Sequence, residues 1–243
     1  MNSERILVFG TYGTGKTYQG LKLASWLKGS QFYVLDTDDS YPRSLESFLS
    51  VENVHVTFAY DWEEYVAWLE RVLKVAVPGR DWLVVDRLDK AWARAQNYVS
   101  EEVYGQSLAE RLLEVKKRMK GSAMKVSAVD RADWQVINAQ YLGWQMSLLY
   151  KSRCNVYLVT SVGAVSLDDD EQVRMLYGAL GVKPEGQKSI AYEPHTVLYF
   201  SKSKTGGYLV TTVKDRGERT YFDKTPLVDL AKQYLLAKAG FGQ

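Results

Sequence analysis

The stretch ILVFGTYGTGKTYQG, Ile6 to Gly20, constrains this chain more than any other part of it. Four apolar residues run into three glycines, a lysine and a threonine, spaced Gly10-x-x-x-x-Gly15-Lys16-Thr17. A strand before this spacing and a helix after it make a phosphate-binding loop of the Walker A type. Each residue type in it has a physical task. The glycines allow sharp turns and bring the backbone N–H groups of Gly10, Thr11, Tyr12, Gly13, Thr14 and Gly15 against phosphate oxygens. The start of the new helix adds partial positive charge. Lys16 reaches the β- and γ-phosphates, and the Thr17 hydroxyl ligates magnesium. The expected cofactors are ATP and Mg²⁺. The base itself has no visible signature, because such a loop touches phosphates.

A magnesium–nucleotide site needs a second anchor, and WLVVD supplies one: an apolar run that delivers Asp86 at its carboxyl end. A Walker B aspartate holds the metal from that position, with Asp89 as the spare candidate. Hydrolysis further requires a group that orients or deprotonates water. FYVLDTDDSYPRSLE offers Asp36, Asp38, Asp39 and Glu46 just after a second apolar run. Carboxylates at the carboxyl ends of strands face the ligand crevice of an open α/β sheet, although Asp and Ser also serve there as turn residues. Thr160-Ser161 closes a further run, VYLVTS, either against the γ-phosphate or as a strand cap.

Apolar runs alternate with amphipathic helical patterns along the chain, which predicts an α/β fold with a mostly parallel, helix-flanked sheet. The expected strands are Arg5–Phe9, Gln31–Leu35, Val54–Phe58, Trp82–Asp86 and Val156–Thr160. Trp62, Tyr65, Val66, Leu69, Val72 and Leu73 form one helical face, opened by a capping box of Asp61 and Glu64. Trp134, Ile137, Tyr141, Trp144 and Leu148 recur at three- and four-residue steps, a spacing that belongs to a core rather than a stacking platform. HTVLYFSKS and GYLVTTVKD flank KTGG, an antiparallel hairpin, and a last helix is expected from Pro226 to Lys238. No repeat or linker interrupts the chain, so its 243 residues are expected to form one domain.

The net charge of +2 gives no general pull toward polyanions, so any nucleic acid must meet a local patch. The single cysteine, Cys154, excludes an internal disulfide and reads as a packed thiol. No apolar stretch approaches the roughly 20 residues of a membrane helix, and the expected location is the cytoplasm.

Taken in order, GTYGTGKT, VLDTD, LVVD, ADWQVINAQYLGWQMSLLYKSRCNVYLVTS and HTVLYFSKSKTGGYLVTTVKDRGE resemble the RecA-like ATPases. The likeness is to the short phage-encoded members related to single-strand annealing and recombination ATPases. It runs from Arg5 to Glu218, and its specific element is the Walker A loop. The resemblance implies a DNA-acting ATPase, in the host cytoplasm if phage-encoded. Asp38 then stands where the family carries a catalytic glutamate, one methylene shorter, which leaves Asp36, Asp39 and Glu46 open as alternatives. Lys214-x-Arg216 resembles the family's pair that enters a neighbour's nucleotide site, which would require a ring or filament of copies. The alternative for that pair is two solvated charges after a strand.

The family's DNA-facing loops correspond to a segment with Lys116, Lys117, Arg118, Lys120 and Lys125, and to one with Arg174, Lys183 and Lys188 that also carries Asp168, Asp169 and Asp170. The expected partner is DNA, single-stranded and bound without sequence preference. The first basic cluster equally fits an exposed helix face. Other ATP-driven DNA machines share this core, among them helicases, helicase loaders and packaging motors. A nucleoside-type kinase and a non-hydrolysing nucleotide-binding adaptor are the remaining classes.

Overall fold

Ile6, Leu7, Val8 and Phe9 are all buried, and they form the middle of the structure. In the computed structural model, which describes residues 3–48, 51–118 and 129–235, they belong to β1 (Arg5–Gly10). A strand buried on both faces needs apolar residues at every position, unlike the alternation of a half-exposed strand. The helix α1 (Lys16–Trp26) follows the glycine loop. Then come β2 (Phe32–Asp36), α2 (Tyr41–Leu45), β3 (Val54–Phe58), α3 (Trp62–Val75) and β4 (Trp82–Asp86). The middle of the chain is helical: α4 (Leu88–Tyr104), α5 (Leu108–Arg118) and α6 (Arg131–Met146), the last running into a π-helical turn over Ser147–Lys151. After it come β5 (Asn155–Thr160), β6 (Val162–Ala164), α7 (Glu171–Tyr177) and β7 (Val182–Pro184). The chain then forms β8 (Thr196–Lys202), β9 (Tyr208–Asp215) and β10 (Thr225–Pro226).

The main sheet has the order β10-β9-β8-β1-β5-β4-β2-β3. From β8 to β3 every neighbouring pair is parallel. The hairpin expected from the KTGG turn is present as β8 and β9, and it extends the sheet antiparallel. All five strands read from the sequence are present, shifted at their ends by no more than one residue.

The period of two sends alternate side chains to opposite faces of the sheet. Leu7, Phe9, Leu83, Val85, Val156 and Leu158 pack against α3, α4 and α6. Ile6, Val8, Trp82, Val84, Tyr157 and Val159 pack against α1 and a π-helical turn at Ala231–Leu235. The aromatic stripe of α6 is core: Trp144 lies edge-on to Trp62 at 5.7 Å and donates its indole N–H to the Tyr65 carbonyl. Tyr141 meets Trp92 at 5.0 Å.

Two expectations need correction. On α3 the Asp61–Glu64 capping box is present. Leu73, however, is 37% exposed, whereas Trp68 is buried. Trp68 lies three residues after Tyr65 and four before Val72, so the buried stripe runs through it. The last helix does not begin at Pro226, because Pro226 pairs with Leu209 in β10, and helical structure begins at Ala231. Lys238 lies outside the described residues. The small antiparallel pair β6–β7 was not expected, since three-residue strands carry too little periodicity to be read.

Candidate nucleotide-binding site

The parallel strands end together at one edge. Asp36 is level with Asp86 across β2 and β4, Phe9 is level with Thr160 across β1 and β5, and Gly10 pairs with Phe200 of β8. An open cavity of about 420 Å³ lies at this edge. Its walls are the whole loop from Gly10 to Tyr18, together with Asp38, Ser40, Ser44, Asp86, Arg87, Ser161, Val162 and Glu185. Carboxyl ends of parallel strands are where open α/β sheets bind ligands.

Two glycines explain the shape of the loop. A Cβ on Gly10 would lie 2.3 Å from the Phe200 carbonyl oxygen, so only glycine lets β8 lie against β1 here. Gly15 has φ of +83° and turns the chain into α1. Lys16 bends back over the loop, its ammonium donating to the carbonyls of Gly10 and Thr11 at 2.8 and 2.9 Å. Burial lowers its pKa, and the Asp86 carboxylate opposes that shift. A phosphate chain offers this ammonium better acceptors than two neutral carbonyls.

Opposite Lys16, the Thr17 hydroxyl donates to Asp86 Oδ2 at 2.6 Å. Asp86 is 1% exposed, and burial pushes its carboxyl up to about 7 despite the Thr17 bond. A hydroxyl and a buried, poorly compensated carboxylate side by side are hard oxygen donors, and they fit a small divalent cation. Magnesium is therefore compatible with the residues present, held by Thr17 and Asp86.

The four candidate carboxylates separate cleanly. Asp36 is fully buried and accepts from the backbone N–H groups of Asp38, Ser40 and Tyr41 at 3.3, 3.2 and 2.9 Å. It shapes the turn after β2. Burial raises its pKa against the effect of those bonds. The turn presents Asp38 to the cavity, whereas Asp39 and Glu46 are exposed and do not line it.

Thr160 lies behind the cavity wall. It is fully buried, and its hydroxyl donates to the Glu185 carbonyl at 2.6 Å, with Asp89 Oδ1 3.3 Å away. Of its two predicted roles, contact with phosphate gives way to a structural one in this conformation. Ser161 takes the place at the wall, bonded to the Glu185 carboxylate at 2.6 Å.

Lys214 and Arg216 are not brought to this cavity by their own chain. Lys214 pairs with Val197, three positions toward the amino end of β8 from the partner of Gly10, about 10 Å along the strands. Its ammonium donates to the carbonyls of Tyr192 and Pro194. Burial, then the neighbouring Arg216, lowers its pKa to about 8. Arg216 is exposed, with one bond to the Glu193 carbonyl at 3.3 Å.

Sequence reasoning missed Arg87, Glu185 and Lys202. Arg87 follows the Walker B aspartate directly, a position at which a cation is a readable signal. Its Nε and Nη2 donate to the Asp89 carboxylate at 3.2 and 2.7 Å. Burial works against its charge, but the Asp89 carboxylate outweighs that and keeps it protonated. The Lys202 ammonium hangs beside the loop, 3.2 Å from where a Cβ on Gly13 would lie. A larger groove of about 560 Å³ lies between α3 and α6, lined by Val66, Leu69, Leu73, Val136 and Trp144 among others, with no cradle of backbone N–H groups.

Of the basic segments, Lys116, Lys117 and Arg118 are exposed at the end of α5, with Arg118 paired to Glu114. Lys120 and Lys125 lie outside the described residues. In the second segment Lys183 pairs with Asp169, and Asp170 caps α7 by accepting from Val173 N–H. Among the described residues no helix is long and apolar enough to cross a membrane.

No protein-family model and no curated protein matches this chain. Among solved structures it is similar to the crystal structure of the RadB recombinase, at 15% identity, over 88% of this chain and 82% of that one, with a TM-score of 0.52. At that identity the likeness is one of architecture. The chain has a RecA-like α/β core: a mostly parallel sheet between helices, with antiparallel strands at its C-terminal end.

Proposed function

We propose that this chain is a RecA-like ATPase that acts on DNA, in recombination or single-strand annealing of the phage type. The observation that carries the reading is the loop of Lys16 facing the Thr17–Asp86 pair at the carboxyl edge of the sheet. The similar solved protein is itself a recombinase, which supports the choice of DNA as partner.

Thr17 and Asp86 would hold magnesium, which would neutralise charge that develops on the phosphate oxygens. The protein's own residues do the rest. Backbone N–H groups of Gly13 to Thr17 hold the phosphates, and Lys16 leaves the loop carbonyls to bind them. Asp38 orients the attacking water and receives its proton. The exposed Lys116, Lys117 and Arg118 are the described candidates for DNA phosphates, so binding is non-specific and salt-dependent. The resemblance further implies a head-to-tail ring or filament in which Arg216 meets a neighbour. The expected location is the cytoplasm.

The test is phosphate release from MgATP with and without single-stranded DNA. Turnover that rises with DNA and disappears in Lys16→Ala supports the reading. Turnover indifferent to DNA removes the DNA-dependent motor, and transfer of phosphate to a nucleoside would replace it with a kinase.

A further inference from the structure

We infer that Arg87 is a catalytic residue that contacts the γ-phosphate from within the chain that binds the nucleotide. This inference rests on the proposed ATPase reading and deepens it.

Transfer of the γ-phosphoryl group spreads negative charge over its equatorial oxygens, and a cation beyond Lys16 and the metal stabilises it. The resemblance assigns that cation to Lys214 and Arg216 of a neighbour. Yet Lys214 spends its donors on the Tyr192 and Pro194 carbonyls, at the other end of β8 from the loop. Arg87 already stands at the cavity.

Three contacts fix it there. Its backbone N–H donates to the Thr37 hydroxyl at 2.7 Å, and that hydroxyl lies 3.1 Å from its carbonyl oxygen. Asp89 takes the Nε and Nη2 side of the guanidinium as a fork. The remaining nitrogen, Nη1, faces the cavity, 3.3 Å from the Tyr12 hydroxyl on the phosphate loop and 3.7 Å from Asp38 Oδ2. The third nitrogen of the clamped guanidinium thus spans the gap between the loop and the Asp38 carboxylate. A γ-phosphate seated on the loop would meet this nitrogen in that gap. Lys202, the other cation beside the loop, is exposed and lies on the open side of Gly13.

In the step itself, the water oxygen forms a bond to the γ-phosphorus while the bond from that phosphorus to the bridging oxygen breaks. The electron pair leaves on ADP, and the water proton passes to Asp38 and on to solvent or product phosphate. Arg87 neutralises the transferring oxygens and is unchanged at the end.

The test uses the full chain and measures both phosphate release and MgADP affinity. Arg87→Ala is expected to lower kcat by about 10² or more while MgADP affinity stays within about threefold. Arg87→Lys, which keeps a charge near Asp89, is expected to lose most of the turnover as well, together with the tight binding of MgADP–aluminium fluoride expected of the unaltered chain. Mixing Arg87→Ala with Lys16→Ala is expected to restore nothing, because Arg87 and Lys16 serve the nucleotide of the same chain. Unimpaired turnover in Arg87→Ala, restoration on mixing, or loss of turnover only in Arg216→Ala or Lys202→Ala overturns this inference and leaves the ATPase reading standing. Absence of turnover in the unaltered chain removes both.

Discussion

The Thr17 hydroxyl donates a 2.6 Å hydrogen bond to Asp86 Oδ2, tying the first turn of α1 to the carboxyl end of β4. Asp86 is buried, and burial pushes its carboxyl up to about 7, far above the ordinary carboxylate range. Between about pH 4 and about pH 7 the folded chain therefore holds a proton that the unfolded chain has released. The sign follows: the ion-free protein loses stability as pH rises through that window. Magnesium requires the ionised carboxylate, so its binding strengthens as pH rises through the same window.

Scanning fluorimetry is expected to give a higher melting temperature near pH 5.5 than near pH 8 for the ion-free chain. MgATP affinity is expected to fall several-fold per unit below about pH 7, with proton release visible by calorimetry in buffers of different ionisation enthalpy. Asp86→Asn is expected to flatten both trends. An MgATP affinity constant from about pH 5.5 to about pH 8 speaks against Asp86 as the metal ligand.

Lys16 holds the carbonyls of Gly10 and Thr11, which phosphate oxygens would replace under the proposed function. Lys16→Ala is expected to leave the far-UV circular dichroism spectrum unchanged and to abolish stabilisation by nucleotide. At a ligand concentration of about 100 Kd that stabilisation is about 2.7 kcal/mol, a shift of several degrees for the unaltered chain. An equal shift in both proteins contradicts the role given to Lys16.

Gly10→Ala places a methyl group 2.3 Å from the Phe200 carbonyl oxygen. That atom is backbone of a paired strand and cannot swing aside, so a loss of about 1–3 kcal/mol is expected in urea unfolding. A loss below about 0.5 kcal/mol means that β8 lies further from β1 than described.

Asp36 and Asp38 stand two residues apart with opposite duties. Asp36→Ala strands three backbone donors and is expected to cost on the order of 2–3 kcal/mol in urea unfolding. Asp38→Asn is expected to leave stability within about 0.5 kcal/mol and to lower turnover by about 10² or more. Reversal of these effects would exchange the two assignments.

Much of this architecture is legible in the residues themselves. The runs RILVFG, FYVLD and WLVVD are apolar at nearly every position, which only strands covered on both faces require, and the helices between them make those strands parallel. The loop from Gly10 to Thr17 is legible because its spacing serves one chemistry. Other features are hidden for physical reasons. The burial of Trp68 depends on which neighbours α3 meets. The duty of Asp36 depends on three N–H groups that a turn gathers around it. Lys214 reads as a solvated or a trans-acting cation in sequence, and nothing in that pattern announces the two carbonyls that fold over it. The place of Arg87 at the cavity depends on the Asp89 carboxylate that holds its guanidinium there.

The most direct measurement is calorimetric titration of MgATP into the folded chain. The account predicts saturable heat with one nucleotide per chain, absent in Lys16→Ala. No heat from properly folded protein would contradict it, since every role given to Thr17, Asp38, Asp86 and Arg87 presupposes a triphosphate seated on that loop.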